Sequence, residues 1–343
     1  MTEIMSIQDA VDNFIESVSL ARSKNTADTY HFALRAFLAL LADNKIDVQA
    51  IPVAELSEDA IGWFAVWLKN HSPATERLYL QAAIGFYEYL AAERLHSPNL
   101  PRLRLLVRQR SRRTGQRLPQ FPREMIESVL TYITQLPLPT EVAGEDNGKR
   151  NTSSLIPSET EKLRILRDRA FLITLADTGL RVNEACSLRR GDIDWNEGRA
   201  IIIGKGDKQA VVRFSTRSMQ ALKDYLSARR KLDGSTGRAM QSLPLFARHD
   251  KGAGKKIKAI TTATGRNIVD ARVKETLGDE FEGKITPHSF RHYFVTTVLR
   301  ASGNLKLAQE LARHANISVT QRYAHISDDE LDQGYHDIFE KRG

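Results

Sequence analysis

Apolar residues recur at three- and four-residue spacing through the first hundred positions. Ser6 stands ahead of Ile7, Ala10, Val11, Phe14, Ile15 and Val18, a polar cap followed by the stripe of an amphipathic helix. A second stripe, Tyr30, Leu34, Phe37, Leu38 and Leu41, follows Ser23-Lys24-Asn25-Thr26, and a third, Ile61, Phe64, Trp67 and Leu68, follows Ser57. Ser72-Pro73 opens a fourth helix bearing Leu80, Ile84, Tyr87 and Leu90, because proline suits the first helical position, where its missing N–H has no partner to lose. The pattern predicts a small helical bundle over residues 1–101.

The pattern then changes twice. From Arg102 to Arg117 the chain is rich in arginine and carries no acidic residue, which reads as a basic interdomain linker over 102–120. Beyond it, helical spacing returns from Phe121 through Ile133 and again over Leu163, Leu166, Ala170, Phe171, Ile173, Leu175 and Ala176. Residues 136–157, rich in Pro, Gly, Ser and Asn, read as a surface loop. Ile193, Trp195, Ala200–Ile203 and Ala210–Phe214 are β-branched or aromatic runs that predict strands, the last two joined by a turn with Lys205 near its tip. Helices are expected again over 216–232 and 264–277 and after Thr286-Pro287. There Phe290, Phe294, Val298 and Leu299 would bury one side and leave His288 and Arg291, one turn apart, facing outward. The expected fold is mainly α with a small antiparallel β-sheet, residues 121–343 forming a second, α+β domain.

A length of 343 residues with 41% hydrophobic content supports a core in each domain. The formal charge of +8 favours a polyanionic partner, and its clustering in Arg102–Arg117 favours contact with a phosphate backbone; Lys251–Lys258 is a second basic loop. The single cysteine, Cys186, excludes an internal disulfide and reads as a helical core residue. No Walker-type loop and no paired His or Cys at metal-ligand spacing stands in the sequence, so neither a metal nor another cofactor is expected. Without an apolar run long enough to span a bilayer, and with no signal-peptide pattern at Met1-Thr-Glu-Ile-Met5, a soluble cytoplasmic protein with no membrane partner is expected.

Four motifs stand in order: Thr178-Gly-Leu-Arg181-Val-Asn-Glu184-Ala, the Gly-Lys205-Gly turn, His288-x-x-Arg291-His292, and His314 followed by Tyr323. Together they resemble the tyrosine recombinase family of phage-integrase and Xer type, and the helical N-terminal segment is similar to that family's core-binding domain. The resemblance implies cleavage and rejoining of DNA through a 3′-phosphotyrosyl intermediate. It makes Tyr323 the nucleophile, Lys205 the acid that protonates the leaving oxygen, and His314 a hydrogen-bond donor to the phosphate. Glu184 would hold Arg181 or His288 in place. The residue chemistry agrees: Arg181 and Arg291 carry planar forks that bond non-bridging oxygens in two places. A phenol of pKa ~10 needs a base or positive surroundings, which His288 and the two arginines supply.

Tyr293, on an apolar helix face, and Tyr335, in the tail, are the competing phenols. One departure stands out: Ala312-Arg313-His314 occupies the place of the family's Leu-Gly-His. Lys24, Asn25, Thr26 and Arg77, at helix starts, and Arg108, Arg110, Arg112 and Arg113, in the basic run, are candidate DNA contacts. The implied partners are a double-stranded recombination site, further copies of the chain and an accessory protein or partner recombinase. The chain would be a monomer free and a cyclic tetramer on DNA, linked through a tail helix after Ser327 bearing Leu331, Tyr335 and Ile338. A type IB topoisomerase and a non-catalytic DNA-binding regulator are the alternatives.

Overall fold

The structure, a computed structural model, describes residues 5–112, 122–139, 157–203, 209–250, 257–314, 316, 317 and 320. The chain divides into two compact units, Met1–Arg117 and Leu118–Gly343, each with its own apolar core.

The first unit contains the four expected helices, α1 (Ile7–Ala21), α2 (Lys24–Asp43), α3 (Asp59–Trp67) and α4 (Pro73–Ala92). The caps work as their sequences suggest: Ser6 Oγ accepts from Asp9 N–H at 3.1 Å, and Ser72 Oγ from Thr75 N–H at 3.1 Å. Phe37, Phe64, Phe86 and Tyr87 are fully buried, with the Phe37 and Phe64 rings edge to face at 5.2 Å.

A fifth helix, α5 (Leu100–Arg110), corrects the reading of this stretch as linker. Asn99 caps it by accepting from Arg102 N–H at 3.0 Å, Leu103 is buried, and Val107 packs on the same core. Its arginines lie alongside acids of the same unit, Arg102 against Glu58 and Asp59, both at 2.7 Å, and Arg104 against Glu88 at 2.6 Å. Arg112, expected at DNA, is committed to Glu76, which its own N–H and Nε reach at 2.9 and 2.5 Å.

Glu76 is 1% exposed. Burial opposes its ionisation, but hydrogen bonds from Lys69 and Arg112 hold its carboxyl down to about 2. Replacing Glu76 with alanine strands two cations that water only partly reaches, so a loss of about 2 kcal/mol in urea unfolding is expected.

The second unit runs α6 (Arg123–Gln135), α7 (Pro157–Thr178), α8 (Val182–Ser187), β1 (Ile193–Asp194), β2 (Arg199–Ile203), β3 (Gln209–Arg213), α9 (Thr216–Gly234), α10 (Thr262–Leu277), α11 (Pro287–Ser302) and α12 (Leu305–Ala312). The sheet is antiparallel in the order β1-β2-β3, with Ala200 opposite Val212 and Ile201 opposite Val211. Ala200, Ile202 and Val212 enter the core while Ile201, Ile203 and Val211 face out, the two-residue alternation of a half-buried sheet.

Helix α7 lies at the centre of the unit, its Phe171 ring perpendicular to Phe246 at 5.1 Å. Around it is a buried ionic layer that apolar periodicity gives no sign of. Asp168 pairs with Arg167 at 2.7 Å and with Arg272 at 2.8 Å, and fully buried Arg229 pairs with Asp233 at 2.9 Å. Cys186 is a core residue as expected, and burial pushes its thiol up to about 12.

Among the described residues no helix is long and apolar enough to cross a membrane. Lys205, Arg113, Tyr323, the tail from Ser327 through Tyr335, residues 140–156 and residues 251–256 lie outside the described residues.

Candidate active site

Helix α11 starts where Thr286-Pro287 places it, with Thr286 N–H bonded to Ser289 Oγ at 3.1 Å. His288 is exposed in its first turn, but Arg291, expected to face outward with it, is 2% exposed. The reason is packing: α11 is covered on one side by α7 and on another by α12. Arg291 lies in that seam, donating to the carbonyl oxygens of Gly179 and Ala312, and so ties the end of α7 to the end of α12. Gly179 has a left-handed φ of 59°, and a Cβ there would lie 2.4 Å from the Phe294 ring. The turn ahead of α8 therefore needs glycine.

Arg181 is the residue from which α8 departs. Its backbone N–H donates to Glu184 Oε2 and its Nη1 to Glu184 Oε1, both at 2.8 Å. Glu184 is thus bonded twice to Arg181, and its second partner is Arg313, at 3.2 Å. Burial works against the charge on Glu184, but hydrogen bonds from Arg181 and the field of Arg313 hold its carboxyl below the usual range.

Arg313 ends α12 in the left-handed region, φ 58° and ψ 43°. Its N–H bonds Glu310 O at 3.0 Å and the N–H of His314 bonds Gln309 O at 3.1 Å, a cap closure at which glycine is cheaper than any other residue by about 1 kcal/mol. The guanidinium folds back to Gly179 O and Glu184 Oε2, each at 3.2 Å. In the sequence Arg313 is only a departure from a family glycine, and the fixed acceptors it finds become visible once α7, α8 and α12 are assembled.

His314 is buried, with Nδ1 2.8 Å from the hydroxyl of buried Thr320. Thr320 escaped the sequence reading, because a lone threonine carries no spacing signal. Burial, then the positive fields of Arg291, Arg181 and Arg313, push the His314 imidazole down to about 4. Burial followed by Arg291 and Arg181 also lowers His288, and His292, whose ring meets that of His288 at 4.3 Å, falls to about 4. Arg181, Arg291, Arg313, His288 and His314 therefore share one electropositive cluster. At neutral pH its fixed charge is carried by guanidiniums and its imidazoles are neutral, a set able to bind an oxyanion and move a proton.

Outside this cluster, burial and then nearby arginines push His249, whose Nε2 lies 2.8 Å from Tyr225 Oη, down to about 3. The unfolded chain therefore binds more protons than the folded one below the ordinary histidine pKa of about 6.5, and stability falls as pH drops from there toward 4. His249, His292 and His314 should each contribute on the order of 1–3 kcal/mol to this loss. Calorimetry is expected to show the second unit melting about 5 °C lower or more near pH 5 than near pH 7.

In the first unit, Lys24 and Asn25 are exposed at the start of α2, Thr26 Oγ1 is 3.0 Å from Ser23 Oγ, and Arg77 is exposed on α4. Arg108 is exposed near the end of α5, and Arg110 lies over Gly62 of α3.

Residues 151–330, which include the whole cluster, match the model of the phage integrase family. The chain belongs to this family of tyrosine recombinases. The chain is 38% identical over 179 residues to tyrosine recombinase XerC of Pelobacter propionicus, a match covering 52% of this chain and 54% of that protein. It is 30% identical over 256 residues to XerC of Bacillus licheniformis, covering 75% and 71% of the two chains. Against the Pelobacter protein, then, the chain spans about half the relative's length. Its fold is that of the Tn1549 transposon integrase solved with a circular intermediate DNA (TM-score 0.65, 17% identity, 97% and 99% covered). It is also that of the lambda integrase dimer bound to a COC′ core site (TM-score 0.63, 14% identity, 94% and 97% covered).

Proposed function

We propose that this integrase is a site-specific DNA recombinase that cleaves and rejoins strands through a 3′-phosphotyrosyl intermediate. The observation that carries the reading is the convergence of Arg181, Arg291 and His314, with Thr320, three residues ahead of Tyr323, bonded to His314. Arg181 and Arg291 neutralise the two non-bridging oxygens as the phosphorus becomes five-coordinate. Neutral His288 accepts the phenolic proton of Tyr323, and His314 donates to a phosphate oxygen. Lys205 protonates the leaving 5′ oxygen. The tyrosyl ester conserves the energy of the broken linkage, and the freed 5′ hydroxyl of a second strand reverses the step with no metal or ATP.

In this reading the first unit is the core-binding clamp, presenting Lys24, Asn25, Thr26, Arg77 and Arg108 to duplex DNA, and the tail of one protomer docks on the next in a cyclic tetramer. The free protein is a cytoplasmic monomer, and an accessory protein or partner recombinase completes the synapse. The relatives' names, tyrosine recombinase XerC, support the activity. The test is a set of nicked duplexes taken from the DNA flanking the gene. Covalent trapping on one duplex, with strand exchange between two copies, supports the proposal. Trapping with supercoil relaxation and no exchange indicates a topoisomerase, and binding without trapping a regulator.

A further inference from the structure

The two arginines proposed to cradle the phosphate each bond a residue that a third arginine also bonds, Gly179 for Arg291 and Glu184 for Arg181, whose guanidinium takes Oε1. Gly179 O accepts from Arg291 and from Arg313 Nη2, and Glu184 Oε2 accepts from the backbone N–H of Arg181 and from the same Nη2. Arg313 also directly precedes His314 in the chain. One side chain therefore touches the supports of Arg181 and Arg291 while its own backbone sets where His314 begins.

We infer that Arg313 is a positioning residue of the recombination reaction, fixing Arg181, Arg291 and His314 in register with one another. This rests on the recombinase reading above.

Two features separate it from a mere cap. The backbone at this position favours glycine, so the arginine is not there for the turn. Its side chain is 11% exposed, and its Nε is buried with no hydrogen-bond partner, an arrangement that a side chain serving only solubility or capping would avoid. Both ends of the fork are occupied, because Nη2 takes Gly179 O and Glu184 while Nη1 lies 3.5 Å from the carbonyl oxygens of Thr178 and Leu311, a spread that a single ammonium does not span.

The experiment measures single-turnover cleavage on whichever flanking duplex the wild-type chain cleaves, with DNA affinity and melting temperature measured alongside. Arg313→Gly should fold, bind DNA within about threefold of wild type and cleave about a hundredfold more slowly at saturating DNA, because misplacing reacting groups by about 1 Å costs that much. Arg313→Lys restores the charge beside Glu184 but not the fork, and should recover about tenfold of the loss and no more. Wild-type cleavage by Arg313→Gly overturns the inference and leaves the recombinase reading standing. So does full recovery by Arg313→Lys, which also decides the matter if the glycine variant does not fold. A wild-type chain that traps no adduct on any flanking duplex overturns both.

Discussion

Arg291→Lys is expected to slow strand cleavage at saturating DNA by about a thousandfold. The side chain has two tasks that lysine cannot combine. It joins the end of α7 to the end of α12 through the carbonyls of Gly179 and Ala312, and in the proposed mechanism it also grasps a phosphate oxygen. A guanidinium presents five N–H donors in a fixed plane, more than these carbonyls take, whereas an ammonium presents three from a single point. If lysine reaches the phosphate, Ala312 O is left buried without this donor, at a cost of about 1–3 kcal/mol, while Gly179 O keeps Arg313. If it stays with the carbonyls, the transition state loses a charge-assisted bond where negative charge develops. Rapid-quench cleavage together with a melting curve checks both branches. A rate within about tenfold of wild type would remove Arg291 from the catalytic group.

Much of the scaffold is readable in the chain because its signals are local. Ser6, Ser72 and Thr286-Pro287 announce helix starts, and the β-branched runs around residues 200 and 212 announce the sheet. What stays hidden depends on neighbours. Helix α5 is obscured because the arginines on its outer faces outnumber Leu103 and Val107 on its inner one. Helix α12 turns Ala308 and Ala312 inward, side chains too small to mark a stripe. The burial of Arg291 follows from α12 covering α11, which the periodicity of α11 cannot report. The candidate site shows the same division: Arg181, Glu184, His288, Arg291 and His314 were legible as motifs, but the tie through Arg313 and Thr320 exists only between elements. Lys205 and Tyr323 stand on their motifs alone.

Tyr323→Phe is expected to abolish the covalent adduct, lowering cleavage by about four orders of magnitude or more while DNA affinity stays within about twofold. The substitution removes one oxygen and no charge, so a binding or synapsis role would survive it. At neutral pH about one phenol in a thousand is ionised, so attack on phosphorus requires that the proton leave as the bond forms. Burial and then the positive field of Arg291 and Arg181 keep His288 and His314 neutral, and that same field favours the phenolate. Thr320 is held on His314, and three residues of extended chain reach no farther than about 11 Å. Tyr293 is a poor substitute: it is buried in the core, with its hydroxyl 3.4 Å from Glu127 Oε1. Tyr293→Phe should therefore leave adduct formation within a few-fold of wild type. An adduct that persists in Tyr323→Phe and disappears in Tyr293→Phe would move the nucleophile onto α11 and dissolve the proposed mechanism, since a phenol packed in the core cannot reach a phosphate held by Arg181 without α11 leaving its seam.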